Sequence, residues 1–389
     1  MSSPLATGPL RIYLDQKDFG RIADALRQND QSSPDLLAYN RLKTCIATDR
    51  ARVYFSFVHI IEALRFGDVQ SPTAIAYCEV VDTLTQGHCI RAVPYLNRVE
   101  LELALSDVFS FASGHSRNGY PYGRHADAFV VDDDALLGDD FRAVPRALLN
   151  NRDIVQQFAR SLPDTYFDEL NRTFPADGIR WSRERVVTTL AGSPEERESL
   201  KRQFFAGVMS FSKLIVHYGR THPDISSIGR TFDADEVNLI GQLRDMQRFE
   251  PLRAAILGTP ATWDRDISRD FGTRYLERSR NDIRSHAVAH GFAAEAAERK
   301  LGADGFKRLP HTRAVMLWLK AYLARHKGTE HARIPQANDL RDLLHCVNAP
   351  YVDVLVTERF SADVSRPLAS AFGTRILKSL AELTPLLPS

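Results

Sequence analysis

Leu10-Arg11-Ile12-Tyr13-Leu14-Asp15 is a mainly apolar run closed by an acid. It reads as a buried strand, and Phe19, Ile22, Ala23 and Leu26 follow at helical spacing with Asp18 placed to cap that helix. Strand, acidic turn and helix open an α/β unit. Outward from there, a second helix is expected from about Asp35 to Ala47, then a strand from Val53 to Phe57 leading into a helix that carries Glu62. Ser71 and Pro72 open another helix as N-cap and first helical residue, and Gly87 can close it.

Residues 91–310 differ in character. Amphipathic patterns at Asn97 to Leu105, Arg152 to Leu162, Glu198 to Tyr218 and Asp235 to Phe249 alternate with polar stretches, and strand signals nearly vanish. Gly114 to Arg124 and Asp132 to Asp140 read as surface loops. The opening pattern then returns: a helix from His311 to Arg325, a helix from Asn338 to Val347, a strand from Val352 to Val356 and a helix near Val364 to Ala371. At 389 residues the chain is longer than one core usually grows. The expectation is a doubly wound parallel α/β sheet flanked by helices, built from residues 1–90 and 311–389, with 91–310 as a large all-helical insertion.

Fifty basic and 49 acidic residues leave a net charge of +1, so no whole-molecule field draws in a polyanion and any such site must be a local patch. Cys45, Cys78, Cys89 and Cys346 are too dispersed for a zinc knuckle or a disulfide framework. The start of the chain lacks a signal architecture and no stretch approaches a membrane span, so a cytoplasmic protein is expected.

The acids carry the chemistry. In an open parallel sheet, ligands bind beyond the carboxyl ends of the strands, where Asp15 stands. Glu62 lies among Val58, Ile60, Ile61, Ala63 and Leu64, where a carboxylate needs a cation or another partner; a salt bridge to Arg65 is the structural alternative. Asp339 and Asp342 share a helix face, with His345 one step further, although Asp339 can also serve the helix dipole. Asp353 interrupts the last apolar strand at its beginning, whereas Glu358 follows its end, over ~10 Å away.

Taken in order, these residues resemble the PIN-like nucleases. Leu14-Asp15-Gln16 is similar to that family's first strand ending in Asp, and Phe55-Ser56-Phe57-Val58-His59-Ile60-Ile61-Glu62 to its second strand running into a helix with Glu. Asp342 followed by Tyr351-Val352-Asp353-Val354-Leu355-Val356-Thr357-Glu358 resembles its closing helix and strand. The likeness covers roughly the first 90 and last 75 residues. It departs where Arg359, two positions after Thr357, stands in place of an acid. The resemblance implies one or two Mg²⁺ or Mn²⁺ ions, with Asp15, Glu62 and Asp342 as first-choice ligands and Asp339, Asp353 and Glu358 in reserve. The activity it implies is endoribonuclease. RNA, or single-stranded DNA, is the expected partner, with an antitoxin or regulatory protein as a further one.

Arg280-Asn281-Asp282-Ile283-Arg284-Ser285-His286 resembles the Arg and His element of the helical, metal-independent HEPN ribonucleases; a salt-bridged surface with Asp270 and Glu277 is the other reading. Arg280, Arg284 and Arg124 are candidate nucleic-acid contacts. No Gly-rich phosphate loop, Gly-x-Ser-x-Gly or His-Glu-x-x-His occurs, which removes nucleotide hydrolase, serine hydrolase and zincin classes. The alternative function is a non-catalytic nucleic-acid- or protein-binding scaffold with a degenerate PIN-like domain.

Overall fold

Ile12, Tyr13 and Leu14 are all at 0% exposure, which marks their strand as the covered centre of a sheet and not an edge. The computed structural model describes residues 8–64, 71–105, 120–124, 151–173, 181–193, 195–196, 199, 210–213, 215, 299, 309–325, 336 and 338–387. In chain order the elements begin with β1 (Leu10–Leu14), α1 (Gln16–Gln28), α2 (Pro34–Ala47), β2 (Ala51–Tyr54), α3 (Phe57–Leu64), α4 (Pro72–Thr85), β3 (His88–Ile90), α5 (Val93–Leu105) and β4 (Tyr122–Arg124). Then come α6 (Arg152–Ser161), α7 (Asp164–Thr173), α8 (Arg183–Ala191), α9 (Pro310–Arg325) and α10 (Asp339–Cys346). The chain closes with β5 (Val354–Val356), α11 (Arg359–Val364), α12 (Arg366–Phe372), β6 (Arg375–Leu377) and α13 (Leu380–Leu383).

Four of these strands form a parallel sheet in the order β2, β1, β5, β6. Parallel neighbours need crossovers, which α1 and α2 supply between β1 and β2. A parallel bridge from Phe55 to Cys89 sets β3 beside the end of β2, and β4 pairs antiparallel with β3. Strand alternation then sorts side chains by face. Ile12, Leu14, Val53, Val354 and Val356 join a core with Phe19 and Ile22 of α1, Leu42 of α2 and Val81 of α4. Tyr13, Tyr54 and Leu355 point the other way, into a core with Val99 of α5, Trp318 of α9, Leu343 of α10 and Leu368 of α12. Helices therefore cover both faces, as the repeated strand and helix pattern leads one to expect.

Local signals explain the helix ends. Ser33 and Ser71 cap α2 and α4 ahead of Pro34 and Pro72, and α4 ends through Gln86 and Gly87 at φ of 48° and 76°. The cap of α1 is Asp15, not Asp18: extended backbone at Asp15 (φ −78°, ψ 173°) sets its Oδ1 over the first turn, 3.1 Å from the Asp18 N–H. The second strand is also shorter than expected, because Phe57 already opens α3.

The α/β unit draws in residues from the segment read as an insertion. Tyr95, Leu96 and Val99 of α5 lie in the core beside Tyr13 and Trp318. Buried Glu100 accepts bonds from the Tyr120 and Tyr351 hydroxyls and the His311 N–H, binding α5 to the start of α9. Tyr122 to Arg124 form a strand where a surface loop was expected, because β3 offers a free edge and the Tyr122 ring packs 4.7 Å from that of Tyr54. Phe211 and Ile215 reach the opposite core, where Asp82 accepts the Phe211 and Ser212 N–H groups. Val155, Phe167 and Val186 of α6, α7 and α8 make a separate apolar cluster. All four cysteines are buried and none is in a disulfide, and burial pushes the thiols of Cys78 and Cys346 up to about 12, far from reactive thiolates. No helix among the described residues is long and apolar enough to cross a membrane.

Candidate functional site

Parallel strands release their chains at one edge, and here β1, β2 and β5 do so side by side. The chain leaves β1 toward β2 on one side while β5 enters from the other, which makes the β1/β5 boundary a topological switch point. The Asp15 N–H bonds the Val356 carbonyl at 3.2 Å across that boundary. Asp15 therefore stands at that boundary, a residue 7% exposed, and Glu358 follows the end of β5. Glu358 is half-buried and lies 3.5 Å from the Lys17 ammonium.

Asp342, on α10, accepts the Ser361 hydroxyl at 2.6 Å. Burial raises its pKa to about 7, and the charges of Glu358 and Asp15 push the same way. Burial also raises Asp15, against the counteracting charge of His345. Asp18, buried one turn along α1, is raised well above the ordinary range by burial and then by the Asp15 charge. Asp342 thus feels the charges of both Asp15 and Glu358, with His345 opposing them.

Glu62 joins these acids through His345. The imidazole Nε2 of His345 lies 2.9 Å from Glu62 Oε2, and its Nδ1 lies 2.8 Å from the Tyr13 hydroxyl, which in turn is 2.7 Å from Ser56 Oγ. Burial disfavours a charged His345, but Glu62, Asp15 and Asp342 outweigh it and its pKa is raised. His59 packs against the same ring, with centroids 4.8 Å apart. Its Nδ1 accepts the Ser56 N–H at 3.0 Å and its Nε2 donates to the Leu14 carbonyl at 2.9 Å, which defines the neutral tautomer. Burial and the His345 charge hold its pKa well below the ordinary value.

The remaining acids are engaged elsewhere. Asp339, 1% exposed, accepts the Tyr322 hydroxyl at 2.7 Å and the Gln336 N–H at 2.8 Å. Asp353 sits at the amino end of β5, where Arg11 binds it through Nε, Nη2 and the backbone N–H at 2.5 to 3.0 Å. Burial resists ionisation of Asp353, yet those bonds hold its pKa below the ordinary range. Arg124 is exposed on β4, three strand spacings or roughly 14 Å from β1, and bonds the Gln86 carbonyl. Arg280, Arg284 and His286 lie outside the described residues.

Sequence reasoning passed over Tyr13, Ser56 and His59 and left His345 without a role. A signal was present in two helices, the apolar one where His59 and Glu62 are spaced to share a face and the amphipathic one where Asp342 and His345 are. Among the described residues, no three His, Cys, Asp or Glu side chains are arranged to hold a metal ion together. Comparison with protein-family models, curated proteins and solved structures gave no match.

Proposed function

We propose that this chain is a metal-dependent nuclease, an endoribonuclease of PIN-like type, working at the carboxyl edge of its sheet. The observation that carries the reading is the meeting there of Asp15, Glu62, Asp342 and Glu358 from both ends of the chain, with Asp342 held at about 7 by burial and by its acidic neighbours. Buried like charges are costly, and a divalent cation is the ligand that relieves them. These donors are all oxygen, the type a hard cation takes, although among the described residues no three of them are set to hold an ion together, so binding would draw them closer. Asp15, Asp342 and Glu358 would hold it, with the second oxygen of Glu62; Asp339 and Asp353 are occupied by Tyr322 and Arg11. When bound, Mg²⁺ or Mn²⁺ supplies Lewis-acid stabilisation of the phosphoryl group and a water of lowered pKa. Lys17, at the lip beside Glu358, brings a positive charge that suits a phosphate.

The purified full chain, given Mn²⁺ or Mg²⁺, is expected to cut single-stranded or structured RNA, with single-stranded DNA as the comparison substrate. Asp15→Asn should abolish the cleavage. Intact substrates with either ion, or full activity in Asp15→Asn, overturn the assignment. A second reading, the scaffold without a working metal site, is favoured by the pairing of Glu62 with His345 and of Glu358 with Lys17. Calorimetry that finds no divalent binding together with tight RNA or protein binding decides for it.

A further inference from the structure

Glu100 of α5 is 2% exposed and joins separate stretches of the chain. It accepts the Tyr120 hydroxyl at 2.9 Å, the Tyr351 hydroxyl from the 3₁₀ turn Ala349–Tyr351, and the His311 N–H at 3.1 and 3.2 Å in the first turn of α9. The last bond satisfies a backbone donor that a helix leaves open at its start. All three donors are neutral, and no Lys or Arg pairs with Glu100 among the described residues. Arg313, two residues further along α9, packs on the Phe372 ring, and Arg91, ahead of α5, packs on that of Tyr95. Burial lowers the His311 imidazole to about 4, so it stays neutral, and burial raises the Tyr120 and Tyr351 hydroxyls, so they keep their protons. A carboxyl in such a place is tolerable with its proton, but without it becomes a buried charge with no counter-charge. Burial accordingly raises its pKa to about 7, against the three donors.

We propose that Glu100 is a pH-sensitive clasp: with its proton it fastens α5, the turn at Tyr120 and the Ala349–Tyr351 turn to the start of α9, and on releasing that proton to solvent it loosens the seam. When the seam opens, Glu100 returns to water and ionises from 4.5 upward, whereas the closed seam holds the proton to about 7. The clasp is therefore at full strength below pH 4.5 and weakens as pH rises through about 7. None of its bonds involves Asp15, Glu62 or Asp342, so it stands or falls apart from the cleavage reading.

The test is hydrogen exchange on the full chain, read by mass spectrometry between pH 5 and 8.5 and corrected for the intrinsic rate, on peptides of α5 and of the start of α9. It compares the wild type with Glu100→Gln and Tyr351→Phe. Gln keeps an acceptor for the three donors and has no proton to lose. Protection of these peptides in the wild type, taken relative to Glu100→Gln, should fall about 10-fold between pH 6 and 8.5. Tyr351→Phe removes a bond that favours the ionised carboxylate, so its loosening should set in at higher pH than in the wild type. If Glu100→Gln does not fold, that upward move of the midpoint carries the test. Protection that runs parallel in the wild type and Glu100→Gln across the range, loosening on the acid side instead, or an unmoved midpoint in Tyr351→Phe overturns the clasp.

Discussion

Replacing Asp342 by Asn should make the folded protein more stable at neutral pH, although it removes a proposed metal ligand. Burial and the charges of Glu358 and Asp15 raise the Asp342 pKa from 3.8 to about 7. A carboxyl raised on folding binds its proton more tightly in the native state. Its contribution is therefore fully present below pH 3.8 and is lost as pH rises to about 7. A shift of about three units corresponds to about 4 kcal/mol against the ionised native state. Asn cannot ionise yet still accepts the Ser361 hydroxyl, so Asp342→Asn should recover about half of this, ~2 kcal/mol, at pH 8. The gain should shrink steadily on acidification and vanish near pH 4. Urea unfolding of both proteins at pH 4, 6 and 8, in EDTA, measures it. A less stable variant at pH 8, or a difference independent of pH, refutes the picture of crowded like charges at the crevice.

Cations should do for the wild type what Asn does for the variant. Mg²⁺ or Mn²⁺ at 100 times its Kd should stabilise the wild type by about 2.7 kcal/mol, read as a rise in melting temperature, and should leave Asp15→Asn unmoved. Asp353→Asn should cost about 1–3 kcal/mol through its lost bonds to Arg11, yet bind Mn²⁺ like the wild type, since that pair lies at the amino end of β5. Tyr322→Phe leaves Asp339 buried without a hydroxyl donor and should cost about 1–3 kcal/mol in denaturant unfolding, again sparing cation affinity. Leu355→Ala, at 0% exposure in the central sheet, should cost about 2–5 kcal/mol.

The distinction between Asp342 and its neighbour Asp339 shows where sequence reasoning runs out. Both stand on one face of α10, in its first turn, and nothing in their spacing separates them. Tyr322 of α9 and the Gln336 N–H take Asp339, while Ser361 and the charges of Asp15 and Glu358 meet Asp342. Asp353 and Glu358 were separable from the start, because a strand has two ends and only one faces the crevice. Tyr122 to Arg124 were not, since a three-residue strand follows from an available edge on β3 more than from its own pattern.

Contiguous residues, by themselves, determined the elements that need only short-range information. The apolar alternation of Leu10 to Leu14 makes a strand, Ser33-Pro34 and Ser71-Pro72 start helices, and Asp15 and Glu358 close strands on the side where parallel sheets bind ligands. Tertiary structure alone decided which polar groups meet. Arg11 finds Asp353 across 342 residues, and His345 finds Glu62 across 283. Such pairings arise because a buried polar atom must take whichever partner the packing of helices and strands brings within 3 Å or so, and that choice is not written in its sequence neighbours.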